Sequence, residues 1–297
     1  MKNLRLLLSA FCVVAAFEAA AAKEGASKPA RNDDQDEVVN SWDTDAYFGY
    51  AFSMNNHLKN PSTVQFNQGV VPTTTSNDSD DNNNPESAKM GDATLVGVAI
   101  NYNCCSWFTL GISGELYTPF TYALAHSGAT LATGAGTAGT NEILGKNYLR
   151  SFTLNHQAFL FNVYFHLPER LAWNVGGVNV TPLIGGGVGV GLNKVTNFQT
   201  TGWSTVSTAG ILQYTTIALP NLKASVAWQA TAGLNFQPEG SDMSFGVTYR
   251  FKDEGKFSTG TQYQLNDNAN YGKVVTLDAW TGKLRTNEVA MFVNFEF

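Results

Sequence analysis

The sequence is short of charged residues, of cysteine and of net positive charge. Only 14% of its 297 residues are Asp, Glu, Lys or Arg, whereas soluble domains average about 25%. Three cysteines exclude a disulfide-dense scaffold, and 12% aromatic residues exclude a disordered chain. A formal net charge of -6 excludes the basic surface of a nucleic-acid-binding protein, so we expect no nucleic-acid partner.

Long hydrophobic runs are also missing. Residues 1–22 hold Lys2 and Arg5, then a short apolar run, then the small residues Ala19–Ala22. This order predicts a secretory signal peptide, and we expect cleavage after residue 22. No later run approaches the roughly 18 apolar residues that a membrane helix needs. The polar residues 23–41 predict a flexible leader.

What the rest of the sequence contains is alternation of apolar and polar residues, which is typical of β-strands with two different faces. In one stretch Phe245, Val247 and Tyr249 alternate with Gly246 and Thr248. Eight stretches show this pattern, near residues 42–54, 93–102, 106–118, 148–167, 177–192, 223–236, 241–251 and 287–297. The polar face carries Gly, Ser, Thr, Asn and Gln, whereas a solvent-exposed protein surface is rich in Lys and Glu.

The connections between these stretches also alternate, between short and long. Short turns are expected near 103–105, 168–176 and 238–240, and long polar connections near 55–92, 119–147, 193–222 and 252–286. Aromatic residues mark the strand ends, as in the interface girdles of membrane proteins, at Trp42, Tyr102, Tyr117, Tyr249, Phe251 and Phe297. Both features indicate a membrane β-barrel rather than a soluble β-sandwich.

The predicted fold class is therefore all-β, an antiparallel transmembrane β-barrel over residues 42–297 with eight strands. Only helices and closed barrels satisfy all backbone hydrogen bonds within lipid. Ten strands is the alternative, in which 257–265 and 272–280 add a hairpin. Eight strands enclose an interior that side chains can fill, so we expect a plugged lumen. Six charged residues are predicted to face inward as a polar network: Asp45, Glu115, Arg150, Arg250, Glu288 and Glu296.

The last stretch resembles the C-terminal assembly signal of Gram-negative outer-membrane proteins. Its alternating apolar residues are Val289, Met291, Val293, Phe295 and Phe297. The resemblance implies export to the outer membrane, with periplasmic chaperones, the barrel-assembly machinery and outer-membrane lipid as partners.

Three further stretches resemble the eight-stranded OmpA-like and opacity-type surface antigens: Pro182–Gly191, Trp228–Leu234 and Gly246–Phe251. The resemblance implies long loops on the outside that contact a host or environmental ligand. The barrel strands run to the last residue, so the peptidoglycan-binding domain of OmpA itself is not expected and its tethering role is not carried over.

The residues that carry chemistry predict no catalytic, cofactor or metal site. None of the four histidines belongs to an H-E-x-x-H motif or a zinc-like cluster. None has Asp two positions earlier, which an omptin-type protease would need, and none follows His166 as in lipid A deacylases. His126 and Ser127 lie in a Gly/Ala/Thr-rich segment and are interpreted as loop residues.

Two other features have competing interpretations. Cys104 and Cys105 in a predicted turn are either a vicinal disulfide, which the oxidising periplasm favours, or two free thiols, since adjacent cysteines form a strained ring. Asp78, Asp80 and Asn82 have the alternation of calcium ligands, but the turn glycine and closing Glu of a calcium loop are missing. A solvated acidic loop is therefore favoured.

The sequence thus predicts a non-enzymatic outer-membrane barrel that displays surface loops as a surface antigen, adhesin or envelope-stabilising protein. A small porin or solute channel is the alternative, and a lipid-modifying outer-membrane enzyme is a third hypothesis.

Overall fold

The computed structural model describes residues 41–54, 58–60, 64–65, 73–74, 78–79, 89–127, 147–167, 172–206, 210–266, 272–276 and 278–297. The predicted signal peptide, and the leader up to residue 40, lie outside the described residues. Regular structure in the described part is β throughout. No helix in these ranges is long and apolar enough to cross a membrane.

Eight long strands form the body of the protein. They are β1 (Ser41–Ser53), β2 (Ala93–Cys105), β3 (Phe108–Tyr117), β4 (Asn147–His166), β5 (Val178–Val206), β6 (Asn221–Pro238), β7 (Met243–Ser258) and β8 (Thr281–Glu296). Each strand pairs antiparallel with its neighbour in sequence, and β8 pairs with β1 from Asp43↔Glu296 to Ser53↔Thr286. The chain is a closed eight-stranded barrel.

The eight-strand prediction is therefore confirmed, and the ten-strand alternative is wrong. Strands Gln262–Asn266 and Lys273–Thr276 do pair as a hairpin. That hairpin attaches to strand Gly210–Ala218 rather than entering the ring. Strand β7 pairs directly with β8 along its whole length, so no gap exists for an inserted hairpin.

The barrel has two unlike ends. At the short-turn end, tight connections join β2 to β3 and β6 to β7, and the last residue, Phe297, bonds to the carbonyl of Trp42. At the long-loop end the wall continues past the ring. Strand Phe120–Ser127 pairs with the first half of β4, and Gly210–Ala218 pairs with the last part of β5.

This continuation corrects the expectation that 119–147 and 193–222 are loops. Strand β5 has 29 residues, far more than the roughly 9–11 that a tilted strand needs to cross a bilayer. Val195 and Phe198 are buried while Lys194 is exposed, so the outer face becomes polar here. Asn197 takes a left-handed conformation (φ 55°) at a bulge, which shifts the alternation by one residue. Because of this bulge, the period-two pattern did not predict the part of β5 beyond residue 192.

The outer surface of the ring is apolar and the inner surface holds the charges. Phe48, Ile184 and Met291 are exposed by 60%, 61% and 67%, whereas Glu115 and Lys252 are buried inside. This distribution is the reverse of that in a soluble protein and is typical of a barrel in lipid. The apolar side chains contact the lipid, and the polar side chains pair with one another in the lumen. The protein is a transmembrane β-barrel.

The predicted girdle and terminal strand follow this division with one exception. Trp42 and Tyr102 pack against each other on the outer face, with ring centroids 5.0 Å apart. The alternating residues of the terminal strand share that face, and the exposed ones are Val289, Met291, Val293 and Phe297. Tyr117 is the exception, because it is only 7% exposed and points into the lumen.

Candidate functional site

The lumen is the candidate site, because the buried charges of the described chain converge there. Its middle holds eight side chains that we call the lumen cluster: Tyr47, Glu115, Tyr117, His156, Arg250, Lys252, Glu254 and Glu288. An apolar plug lies on the long-loop side of the cluster, and a cavity lies on the short-turn side. The three regions together fill the barrel axis.

Strand β7 supplies both fixed cations of the lumen cluster. Arg250 and Lys252 are two residues apart, so both side chains point inward. The Arg250 guanidinium lies 2.9 Å from Glu115 and 3.2 Å from Glu288. The Lys252 ammonium pairs with Glu115 and lies 3.3 Å from Glu254. All five charged side chains are nearly or completely buried.

Strand alternation places Glu254 on the inner face with Lys252, and a bulge follows directly. The register of β7 with β8 shifts between Asp253 and Gly255. Gly255 has φ 82°, a left-handed conformation that favours glycine. After the bulge the alternation is shifted by one residue, so Lys256 is exposed and Phe257 is buried.

Two tyrosine hydroxyls connect the cluster across the barrel. Tyr47 donates to Glu115 at 2.8 Å. The Tyr117 hydroxyl lies within 3.0 Å of carboxylate oxygens of Glu115, Glu254 and Glu288 and accepts from Lys252 at 2.8 Å. These bonds tie side chains of β1, β3, β7 and β8 together, so the cluster braces opposite walls.

His156 extends the lumen cluster towards β5. Its Nε2 lies 3.0 Å from Glu254 Oε2, and its Nδ1 lies 2.8 Å from Asn193 Oδ1. The Asn193 amide group donates to the Glu254 main-chain oxygen at 2.9 Å, so its own oxygen faces the imidazole ring. The ring therefore connects the Glu254 carboxylate to the barrel wall at Asn193.

The six sequence-predicted network residues divide into separate groups. Glu115, Arg250 and Glu288 meet in the lumen cluster. The other three share the inner face but lie elsewhere along the barrel: Arg150 in the plug, and Asp45 and Glu296 in the wall of the short-turn cavity.

Sequence reasoning missed Lys252, Glu254 and His156. The predicted seventh strand stopped at residue 251, one short of Lys252. His156 had a usable signal, because it has the same parity as Asn162 and Tyr164 in the same alternating stretch. Glu254 has the same parity as Arg250 and was missed because the predicted stretch ended three residues before it.

The glycines of β5 make room for the side chains of β4. Asn162 lies directly over Gly187 and Tyr164 over Gly185, so an added methyl group would collide with each. Asn162 is completely buried, donates to Ser113 at 2.9 Å and accepts from Gln229 at 2.7 Å. The glycine face therefore admits a layer of large polar side chains beside the lumen cluster.

The apolar plug closes the long-loop end. Its buried members include Phe120, Tyr122, Leu124, Phe152, Leu154, Val195, Phe198, Phe257, Tyr263, Trp280 and Leu284. Arg150 lies over the Trp280 ring at 3.6 Å and donates to Thr200 at 3.1 Å. Tyr263 shares a 2.8 Å hydrogen bond with Thr259, and burial raises the pKa of the Tyr263 hydroxyl. Among the described residues, this layer is mainly apolar.

The short-turn cavity is the open part of the lumen. It has a volume of about 200 Å³. Its wall carries Asp43, Asp45, Asn101 and Thr231, and Arg250 of the lumen cluster also borders it. The cavity is thus a pocket that ends at the cluster rather than a passage.

Comparison with known proteins finds no sequence relative: no protein-family model and no curated protein matches the chain. Solved outer-membrane β-barrels are similar in fold. The outer membrane protein OprG from Pseudomonas aeruginosa has 11% identity and a TM-score of 0.39, over 87% of this chain and 97% of OprG. Neisserial surface protein A has 8% identity and a TM-score of 0.30, over 86% and 97%.

The outer membrane protease OmpT from Escherichia coli has 12% identity and a TM-score of 0.33, over 86% of this chain and 97% of OmpT. At such identities and TM-scores the likeness carries no argument about function. A shared barrel is in any case compatible with many activities.

Residues considered for chemistry are placed as follows. No three His, Cys, Asp or Glu side chains in the described ranges are arranged to hold a metal ion. Cys104 and Cys105 are both free thiols, so the vicinal disulfide is not formed. The side chains of His126 and Ser127, and the calcium candidates Asp80 and Asn82, lie outside the described residues.

Proposed function

We propose that the protein is a non-enzymatic outer-membrane β-barrel that acts as a closed scaffold for the segments at its long-loop end, as a surface antigen, adhesin or envelope-stabilising protein. The observation that supports this proposal is that two layers of side chains, the lumen cluster and the apolar plug, lie across the lumen. The lumen cluster is cross-linked by ion pairs, and the apolar plug lies above it. In this proposal neither layer admits a solute.

The proposal assigns the long-loop end to the cell exterior. The wall at that end continues beyond the ring, with a polar outer face at Lys194 and Gln199 that suits water rather than lipid. The short-turn end then faces the periplasm, together with Phe297 and its expected contact with the barrel-assembly machinery.

Single-channel recording on the purified protein in planar bilayers tests the closed scaffold. We expect no stable conductance steps, because the ion pairs of the lumen cluster are buried and mutually satisfied. Stable open channels in the native protein would overturn the scaffold in favour of a small solute channel.

Protease treatment of intact cells tests the orientation. Cleavage is expected within 55–92, 119–147, 193–222 or 252–286 and not at 103–105 or 238–240. Cleavage at the short turns of intact cells would contradict the assignment, and permeabilised cells provide the control in which both ends are accessible.

A further inference from the structure

The wall of the short-turn cavity contains two neighbouring carboxyl groups without a cation partner. Asp43 and Asp45 are two residues apart on β1 and both line the cavity. Among the described residues, neither forms an ion pair with Lys, Arg or His. The nearby Arg250 is paired with Glu115 and Glu288. Two acidic side chains therefore share one space without a positively charged partner.

The same amide groups hold both carboxylates in place. The Asn101 side-chain amide donates to Asp43 at 2.7 Å and to Asp45 at 2.8 Å. The Asn294 amide does the same, at 2.7 and 2.8 Å. Asn103 adds a third bond to Asp43 at 2.8 Å. These amide donors hold the two carboxylates side by side and are not available to other hydrogen-bond acceptors.

The cavity wall also contains acceptor atoms that lack a hydrogen-bond donor. The Thr231 hydroxyl belongs to a side chain that is only 6% exposed. In the described structure it makes no hydrogen bond, and neither does the Asn235 amide oxygen. Both residues line the cavity. A buried polar atom without a partner costs free energy, so the wall favours an occupant that brings N–H donors.

We propose that the short-turn cavity binds a small organic cation with an ammonium group. Asp43 and Asp45 act as its counter-ions, and Thr231 and Asn235 accept its remaining hydrogen bonds. The volume of about 200 Å³ is far larger than a bare metal ion needs. Entry is from the short-turn end, because the lumen cluster blocks the other side. The site is independent of what the long-loop end contacts.

Calorimetric titration of the full-length protein, folded in detergent micelles, tests the site with putrescine as the probe. We expect saturable binding of one molecule, and no binding of butane-1,4-diol, which has the same length without the charges. Asp45→Asn keeps the shape of the side chain and should weaken binding by about tenfold or more, because a charge-assisted hydrogen bond is lost. Thr231→Val should weaken it by a smaller factor.

Glu239→Gln is the matched control, since it removes one exposed carboxylate from the same end outside the cavity. Each variant is first checked for the electrophoretic shift of a folded barrel. No putrescine binding to the native protein would overturn the proposal. So would equal weakening by Asp45→Asn and Glu239→Gln, which would indicate surface charge alone. Full displacement of putrescine by equimolar calcium chloride would indicate a metal site instead.

Discussion

Removal of Lys252 is expected to destabilise the barrel strongly. Its ammonium group is completely buried and pairs with Glu115 and Glu254. Lys252→Met removes one positive charge from the lumen cluster and leaves Glu254 without its lysine partner. Removing one partner of a buried ion pair costs about 3–5 kcal/mol. Glu115→Gln breaks the same pair from the other side and should cost a similar amount.

The double variant carries the sharper expectation. When Lys252→Met and Glu115→Gln are combined, one positive and one negative charge are removed together, so the net charge of the lumen cluster is the same as in the native protein. The two costs should therefore not add, and the double variant should be more stable than their sum by about 1–3 kcal/mol. Such partial cancellation of the two losses in unfolding free energy is expected only if the charges of Lys252 and Glu115 compensate each other.

The measurement is urea-induced unfolding of the barrel in lipid vesicles, followed by tryptophan fluorescence. Lys256→Met is the matched control, because it makes the same change in the same strand at an exposed side chain, and it should shift stability by about 0.5 kcal/mol or less. The reasoning would be refuted if each single variant had a free energy of unfolding within 1 kcal/mol of the native value, because about 1 kcal/mol is all that an ordinary surface ion pair contributes. It would also be refuted if the loss in the double variant equalled the sum of the two single losses.

Two further substitutions test the lumen wall and the lipid face. Gly187→Leu should cost about 1–3 kcal/mol by overpacking against the buried Asn162, whereas Val188→Leu on the outer face should be nearly neutral; equal unfolding midpoints in urea would contradict the inward placement of Gly187. Phe161→Lys should cost about 2–4 kcal/mol in vesicles, as for a cation near the bilayer midplane. Gln199→Lys should cost about 0.5 kcal/mol or less, because that position lies above the lipid; a similar loss at both positions would contradict the extended wall.

Much of the fold is readable from local sequence. Period-two alternation identifies the eight strands, because neighbouring side chains on a strand point to opposite faces. The same rule assigns Phe161 and Val188 to the lipid and Glu115, Arg250 and Glu288 to the lumen. Absence of a long apolar run, together with few charges, then leaves a closed barrel as the membrane solution.

The arrangement within the lumen is not readable in this way. Asp45, Arg150 and Glu296 have the same inward orientation as Glu115, yet Arg150 lies in the plug and the other two lie in the short-turn cavity. The height of a residue depends on the stagger between neighbouring strands, which is set only when β8 closes on β1. The full length of β5 at the long-loop end was also not predicted, because the bulge at Asn197 interrupts the alternation of apolar and polar residues.

The sequence by itself determined which side of the wall each residue faces, since this orientation follows from the geometry of a single strand. Tertiary structure alone decided which charges meet. Lys252 and Glu254 lie on β7 and His156 lies on β4, and closure of the ring brings these two strands to one buried cluster. There the buried charges pair with one another, whereas Asp43 and Asp45 lie in the cavity below without a cation partner.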